Sequence, residues 1–222
     1  MKGSVVARIV AVFVVLLMPL AFFFYYGIVK KPVIPPKLAV IDSSLTYFRM
    51  VDQLGDSVSV DDLKGYIWVG DFFFASCPGF CPKMNSKMEK LLNTKYEDGI
   101  NSLNTQKNFK LVSFSVNPEA DSVSVLKQYA DKFHAPPNKW YFLSGDKNVL
   151  KKLMMEDFRL PFEDLGKGPD AITHSDRLVL VDGEGKYRGF YNVMDIDSGE
   201  VNFERLMNDI QNVLTENPVK KQ

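Results

Sequence analysis

The sequence has few of the residues on which small cross-linked scaffolds depend. Its 222 residues include two cysteines, two histidines and two tryptophans. Two cysteines cannot form a disulfide-rich scaffold or a zinc site with four thiolates. The chain also lacks an excess of charge, because 27 basic side chains balance 27 acidic ones. The 17 phenylalanines, within a composition that is 46% apolar, exclude a disordered or collagen-like chain.

Acidic residues are absent from the first 31 positions, which hold Lys2, Arg8, Lys30 and Lys31. The remaining residues carry the other 23 basic side chains and all 27 acidic ones. They show no clustered basic face that could offset this mild negative charge. Such a domain repels a phosphate backbone, so we do not expect nucleic acid to be a partner.

The membrane end of the chain is predicted from 21 consecutive uncharged residues, Ile9 to Val29. A helix of that length spans about 30 Å, the thickness of a hydrocarbon core. We therefore predict a transmembrane anchor within residues 1–30. A cleaved signal peptide is the alternative, but the apolar run is long for one and no small-residue cleavage site follows it. The flanking charges only weakly favour an amino terminus in the cytoplasm.

The rest of the chain is predicted to be a linker and one domain. Residues 31–44 include a proline-rich stretch that indicates a short, stiff spacer. Residues 45–222 are long enough for one ordinary domain with its own core.

Predicted strands and helices alternate along this domain. A short hairpin over residues 47–60 is followed by an aromatic strand over 66–75, whose near-continuous apolar run is typical of a central buried strand. Further strands are predicted over 109–116, 140–143, 178–182 and 187–193, and helices over 85–96, 122–133, 147–156 and 203–214. Asp121 and Ser122 are candidate caps of the second helix. The order predicts an α/β, thioredoxin-like fold: a mixed sheet flanked by helices.

Both cysteines lie in one turn, Cys77-Pro78-Gly79-Phe80-Cys81-Pro82, directly after the aromatic strand. The end of a strand and the start of a helix form the usual ligand crevice of an α/β sheet, and the helix dipole there favours thiolates. We expect Gly79 to let the loop fold back and bring the sulfurs together. The spacing allows either a disulfide or a shared metal ion. Two hydrophobic core cysteines are the simpler alternative, which their shared turn disfavours.

The two histidines have different expected roles. His174 precedes the last hairpin, in a loop that packs beside the cysteine turn in a thioredoxin-like sheet. Two thiolates and one imidazole form a soft donor set that suits Cu(I) and can hold Cu(II) with an added ligand, whereas zinc would need a fourth ligand. His134, at a helix exit, is expected to be structural or solvated. Met84 and Met88 follow at helical spacing and are expected in the core rather than as ligands.

Four stretches of the domain, over about residues 45–215, resemble the Sco (SenC) family of membrane-anchored copper proteins. They are DFFFASCPGFCPKM, SVNPEADSVSVLKQYA, KWYFLSG and THSDRLVLVDGEGKYRGFY. The resemblance implies a domain that binds one copper ion through Cys77, Cys81 and His174, with Cys77 and Cys81 also forming a redox-active disulfide. Family members help to assemble the dinuclear copper centre of cytochrome c oxidase by passing copper, by reducing the cysteines of the receiving subunit, or by both.

The resemblance also implies a partner and a compartment. The partner would be the copper-bearing subunit of cytochrome c oxidase or another copper acceptor. The domain would face the periplasm or the mitochondrial intermembrane space. Because no Arg- and Ser-rich transit segment precedes the apolar run, we predict a single-pass anchor in a bacterial inner membrane, with the carboxyl-terminal domain in the periplasm. The resemblance favours a non-enzymatic metallochaperone, with thiol–disulfide reductase activity as a second capacity.

Three positions depart from the family pattern. Gly79, Asn117 and Thr173 stand where members often have acidic residues, and the loss of these acids would change ligand orientation or copper affinity.

Two other functions compete with copper binding. The main alternative is a thiol–disulfide oxidoreductase, but such enzymes use C-x-x-C and a cis-proline in the loop where His174 stands here. A peroxiredoxin-like peroxidase would not need His174.

Overall fold

The structure is a computed structural model that describes residues 13–14, 17–20, 22, 38–40, 45–94, 102–160, 177–195 and 197–216. The chain divides into two units, Met1–Pro36 and Lys37–Gln222. In the first unit the described residues are helical. Across the described parts of the chain, no helix has both the length and the apolar character needed to cross a membrane. Most of the predicted anchor, residues 9–29, lies outside the described residues.

The second unit contains seven strands and four α-helices among its described residues. The strands are β1 (Arg49–Val51), β2 (Ser57–Ser59), β3 (Ile67–Phe73), β4 (Phe109–Ser115), β5 (Trp140–Leu143), β6 (Arg177–Val181) and β7 (Tyr187–Asn192). The helices are α1 (Phe80–Asn93), α2 (Val123–Lys132), α3 (Lys147–Lys152, continued by a π-helical turn over Leu153–Asp157) and α4 (Gly199–Glu216). Short 3-10 turns cover Val60–Leu63 and Leu103–Thr105.

The main sheet has the strand order β5-β4-β3-β6-β7. Strands β3, β4 and β5 run parallel, whereas β6 is antiparallel to both β3 and β7. Strands β1 and β2 form a separate antiparallel pair. The structure therefore confirms the predicted mixed sheet, with a parallel part and a closing hairpin.

Strands β3 and β4 are buried along their whole length. Burial on both faces explains the near-continuous apolar run of β3, whereas β4 also buries the polar residues Lys110, Ser113 and Ser115. On one face of the sheet, Phe72 packs against Phe158 with ring centroids 4.9 Å apart, and against Phe114 at 5.5 Å. Gly70 leaves room for this cluster, since a Cβ there would lie 2.8 Å from the Trp68 ring. The opposite face carries α1, α2 and the polar side chains of the site.

Helix boundaries are the main difference from the predicted elements. Helix α1 begins at Phe80 rather than at residue 85, and α4 begins at Gly199 rather than at residue 203. The earlier start of α1 matters for the site because it places Cys81 in the first helical turn.

Candidate functional site

The two cysteines occupy the turn between the central strand β3 and helix α1. The backbone N–H of Cys77 donates to the carbonyl of Phe74, 3.2 Å away, and Cys81 follows in the first turn of the helix. Both thiols are free, and their residues are only 5% and 4% exposed. The turn thus presents two sulfurs at the end of the sheet, as its position in the sequence predicts.

Backbone N–H groups at the start of α1 point toward the sulfur of Cys77. The N–H of Cys81 donates to Cys77 Sγ at 3.2 Å, and the N–H groups of Gly79 and Phe80 contribute as well. Burial acts to raise the pKa of the Cys77 thiol, but these hydrogen bonds and one from the Cys81 thiol outweigh it and lower that pKa. Cys77 is therefore the thiol that ionises more readily.

Cys81 is shifted in the opposite direction. Burial raises the pKa of its thiol, and the hydrogen bond to Cys77 and the neighbouring charge of Asp71 raise it further. In the reduced protein the pair therefore consists of an activated Cys77 and a protonated Cys81 that donates to it. This asymmetry follows from the helix start, which reaches one sulfur and not the other.

Asp71 is a polar residue of the site that the sequence analysis missed. It lies in the middle of β3 and is fully buried, and burial raises its pKa to about 7. The hydroxyl of Ser113 donates to Asp71 Oδ1 at 2.5 Å and accepts from Trp140 Nε1 at 3.0 Å. In the described part of the chain, Oδ2 has no hydrogen-bond partner. The signal that could have identified Asp71 from the sequence was a single acidic residue within an otherwise apolar strand.

The structure corrects the prediction that Asp121 is a candidate cap of α2. The cap residue is Ser122, whose side chain makes no capping hydrogen bond. The Asp121 carboxylate instead accepts from the N–H of Ala75, at 3.2 and 3.3 Å, and from the hydroxyl of Ser115 at 2.5 Å. Asp121 thereby fastens the loop that leads into the cysteine turn.

The expected role of Gly79 is wrong. Its φ is −150°, outside the left-handed region that favours glycine, and a Cβ built there would meet no atom within 4 Å. The turn therefore does not require glycine at this position. A β-carbon at this position would fit without moving its neighbours.

The third predicted ligand, His174, and its neighbour Thr173 lie outside the described residues. Within the described ranges, no three His, Cys, Asp or Glu side chains are grouped so that they could hold a metal ion. His134 is exposed with Nδ1 3.1 Å from Glu89 Oε1, which confirms that it is solvated. Met84 and Met88 are buried, which confirms them as core residues.

The chemistry of the described donors limits what the turn could bind. Sulfur is a soft donor that suits Cu(I), whereas hard cations such as Mg²⁺ and Ca²⁺ require several oxygen ligands. Two carboxylates on the strand and loop next to the turn, those of Asp71 and Asp121, are both buried and held by serine hydroxyls. The two cysteines therefore fit a soft metal ion or disulfide chemistry.

Comparison with known proteins identifies a family over most of the chain. The family described as SCO1/SenC matches residues 42–214. A curated relative, the SCO1 protein homolog of Bacillus subtilis strain 168, is 27% identical over 169 residues, which cover 76% of this chain and 81% of the relative.

Solved structures of the same fold include two from this family. A SCO1/SenC family lipoprotein from Bacillus anthracis superposes with a TM-score of 0.64 at 25% identity, covering 83% of this chain and 98% of the other. Copper-bound yeast Sco1 superposes with a TM-score of 0.60 at 24% identity, covering 82% and 96% of the two chains. The likeness to yeast Sco1 is evidence for the fold.

Proposed function

The chain belongs to the SCO1/SenC family, and on that basis we propose that it binds one copper ion through Cys77, Cys81 and His174. The copper is cargo, delivered during assembly of the copper centre of cytochrome c oxidase. The observation that carries the proposal is the pair of buried free thiols on one turn at the start of α1. Two soft donors held together in this way favour Cu(I) over the harder cations.

The properties of the two thiols give the proposed binding a pH dependence. Only thiolates ligate the metal, so both sulfurs must lose their protons. Backbone N–H groups already stabilise the Cys77 thiolate, whereas Cys81 keeps its proton in the reduced protein. Binding should therefore release the Cys81 proton and become tighter as the pH rises. Oxidation of the pair to a disulfide would abolish binding.

Copper titration of the full-length reduced protein in neutral detergent tests the proposal. With a chromophoric Cu(I) chelator as competitor, we expect one Cu(I) per chain. His174→Ala should weaken binding by about tenfold or more, since it removes one of three ligands. His134→Ala is the matched control because it removes an exposed imidazole far from the cysteine turn in the sequence, and its affinity should equal that of the wild type. Unchanged affinity in His174→Ala would refute the three-ligand site.

The asymmetry of the thiols supports a second candidate, thiol–disulfide exchange with partner cysteines. The Cys77 thiolate would attack a partner disulfide, forming a mixed disulfide and releasing one partner thiolate. The Cys81 thiol would then lose its proton and attack Cys77 Sγ, which forms the Cys77–Cys81 disulfide and releases the second partner thiol. Fast reduction of a model disulfide by copper-free protein, lost in Cys77→Ser, would favour this function. Slow reduction at rates near that of free cysteine would exclude it.

We also propose a location for the protein. Members of the family include a bacterial lipoprotein, and the uncharged residues 9–29 are long enough to anchor this chain in a membrane. The domain would then act in the periplasm, on the copper-bearing subunit of the oxidase or another copper acceptor. Alkaline carbonate extraction of membranes should leave the full-length chain in the pellet. Release of the intact chain into the supernatant would contradict the anchor.

A further inference from the structure

Three arginines line one open pocket beside the start of β6 and the end of β7, away from the hairpin turn. The pocket has a volume of about 410 Å³, and we call it the arginine pocket. It is lined by Arg159, Arg177, Phe190, Asn192, Asn202 and Arg205. Arg159 follows the end of the α3 segment, Arg177 is the first residue of β6, and Arg205 lies in the first half of α4. The sequence analysis did not single out any of them.

Hydrogen bonds and aromatic contacts hold two of the guanidinium groups in place. Arg177 Nε donates to Asn192 Oδ1 at 3.2 Å, and its Nη1 donates to the carbonyl of Arg159 at 3.1 Å. Arg205 Nη2 donates to the carbonyl of Phe190 at 3.3 Å, and its guanidinium lies 5.1 Å from the centre of the Tyr191 ring. A guanidinium has five N–H donors, so the contacts of Arg205 orient its guanidinium and leave further donors on it.

Among the described residues that line the arginine pocket, none is acidic. Neither Arg159 nor Arg205 forms an ion pair with a carboxylate in the described ranges of the chain. Nearby cations are paired differently: Lys87 Nζ lies 2.5 Å from Glu200 Oε1 at the start of α4. Grouped positive charges create a positive potential that attracts an anionic group.

The pocket lies at the same end of the sheet as the cysteine turn. Strand β6 begins at Arg177 and runs antiparallel to β3, so its first residue lies at the end where β3 finishes and the cysteine turn starts. Arg177 pairs with Asn192 at the end of β7. The start of α4 also contacts α1 through the Glu200–Lys87 ion pair. The arginine pocket and the cysteine turn therefore lie at the same end of the sheet.

We infer that the arginine pocket binds carboxylate side chains on the surface of a partner protein. Planar guanidinium groups bind carboxylates in a bidentate manner, and the amide nitrogen of Asn192, whose oxygen accepts from Arg177, supplies further donors. The open, shallow shape suits side chains on a protein surface. That this partner is the one that exchanges copper or electrons with the cysteines rests on the proposed function, whereas recognition of acidic side chains does not.

Fluorescence anisotropy with a fluorescein-labelled hexaglutamate peptide tests the inference on the full-length protein in neutral detergent. We expect hexaglutamate to bind and hexaglutamine not to bind. The Arg159→Gln/Arg205→Gln variant should lose about tenfold or more in affinity, because two charge-assisted contacts are removed. The control Lys107→Gln/Lys132→Gln changes the net charge equally at exposed sites near β4 and α2, and its affinity should stay within about twofold of the wild type.

Modification with phenylglyoxal, followed by mass spectrometry, locates the peptide. Bound hexaglutamate should protect Arg159 and Arg205 from modification. Equal loss of affinity in both double variants, or protection of other arginines only, would overturn the inference. So would complete displacement by inorganic phosphate at about 5 mM, or preferred binding to vesicles of anionic phospholipid. The arginine variant should bind Cu(I) like the wild type, so a failure of copper binding is distinguishable from a failure of peptide binding.

Discussion

At the residue scale, Asp71 shows how burial changes the chemistry of a single side chain. Its carboxyl group lies inside the central strand with one hydroxyl donor, and no cation pairs with it among the described residues. Ionising such a group costs solvation that a single hydrogen bond does not replace. The raised pKa of about 7 reflects this balance, and it makes the stability of the domain depend on pH.

We expect Asp71→Asn to become more stabilising relative to the wild type as the pH rises. The carboxyl pKa is about 7 in the folded state against 3.8 for an ordinary aspartate. Because the folded state holds the proton more tightly, the wild type loses stability as the pH rises from about 3.8 to about 7. Asparagine still accepts from Ser113 and does not ionise. Between pH 5 and pH 8, the stability difference should grow by about 2–3 kcal/mol.

Urea denaturation of the reduced, copper-free protein at both pH values measures this difference. If the free energies of unfolding of the variant and the wild type change in parallel between pH 5 and pH 8, Asp71 ionises normally and its assigned environment is wrong.

At the element scale, a contact between distant segments fastens the loop that leads into the cysteine turn. The loop before the turn is tied to the start of α2 through Asp121, which also binds the end of β4 through Ser115. The side chain of Ser122, the adjacent cap residue, takes no part in this contact. Adjacent residues in the sequence thus differ sharply in their structural importance.

Comparison of Asp121→Ala with Ser122→Ala tests this difference. Asp121→Ala leaves the buried Ser115 hydroxyl and the Ala75 N–H without their acceptor, and should cost about 2–3 kcal/mol in the free energy of unfolding. Loss of the contact should also increase the rate at which iodoacetamide modifies the cysteines. Ser122→Ala should change the stability by less than about 0.5 kcal/mol. A larger loss in Ser122→Ala than in Asp121→Ala would restore the capping interpretation.

At the scale of the whole molecule, Arg188 joins segments from both ends of the domain. Its side chain is 2% exposed, with Nη1 3.2 Å from Asp182 Oδ2 and Nη2 2.6 Å from Glu216 Oε2. Nη2 also donates to the carbonyl of Leu38 at 2.8 Å, and the N–H of Leu38 donates to Glu216 Oε1 at 3.1 Å. One buried ion cluster therefore connects the final hairpin, the end of α4 and Leu38, which belongs to the predicted linker.

Arg188→Leu should destabilise the domain by about 3–5 kcal/mol, because it leaves two carboxylates partly buried without their cation. Lys186→Gln is the matched control on the same hairpin, since Lys186 forms an exposed pair with Glu184 at 2.6 Å and should contribute less than about 1 kcal/mol. Thermal unfolding followed by circular dichroism measures both. A similar small loss of stability in the two variants would show that the buried cluster contributes no more than a surface pair.

Local patterns in the sequence were sufficient for the order of the elements and the place of the cysteine turn. The apolar run of β3, the alternation of β4 and the turn around Gly185, whose φ is +79°, depend on neighbouring residues and are correctly predicted. The mixed sheet follows from that order because short connections and helical crossovers leave few topologies. The role of His174 stays a prediction.

The tertiary structure decided which side chains meet and how their environments differ. Three features depend on residues that are distant in the sequence. They are the contact of Asp121 with Ala75, the environment of Asp71 beside Ser113, and the grouping of Arg159, Arg177 and Arg205. Nor does the sequence distinguish two cysteines four residues apart, although one receives the N–H groups of a helix start and the other is buried away from them. The physical reason is that periodicity records which residues are buried, whereas hydrogen bonding and pKa depend on which groups surround them in space.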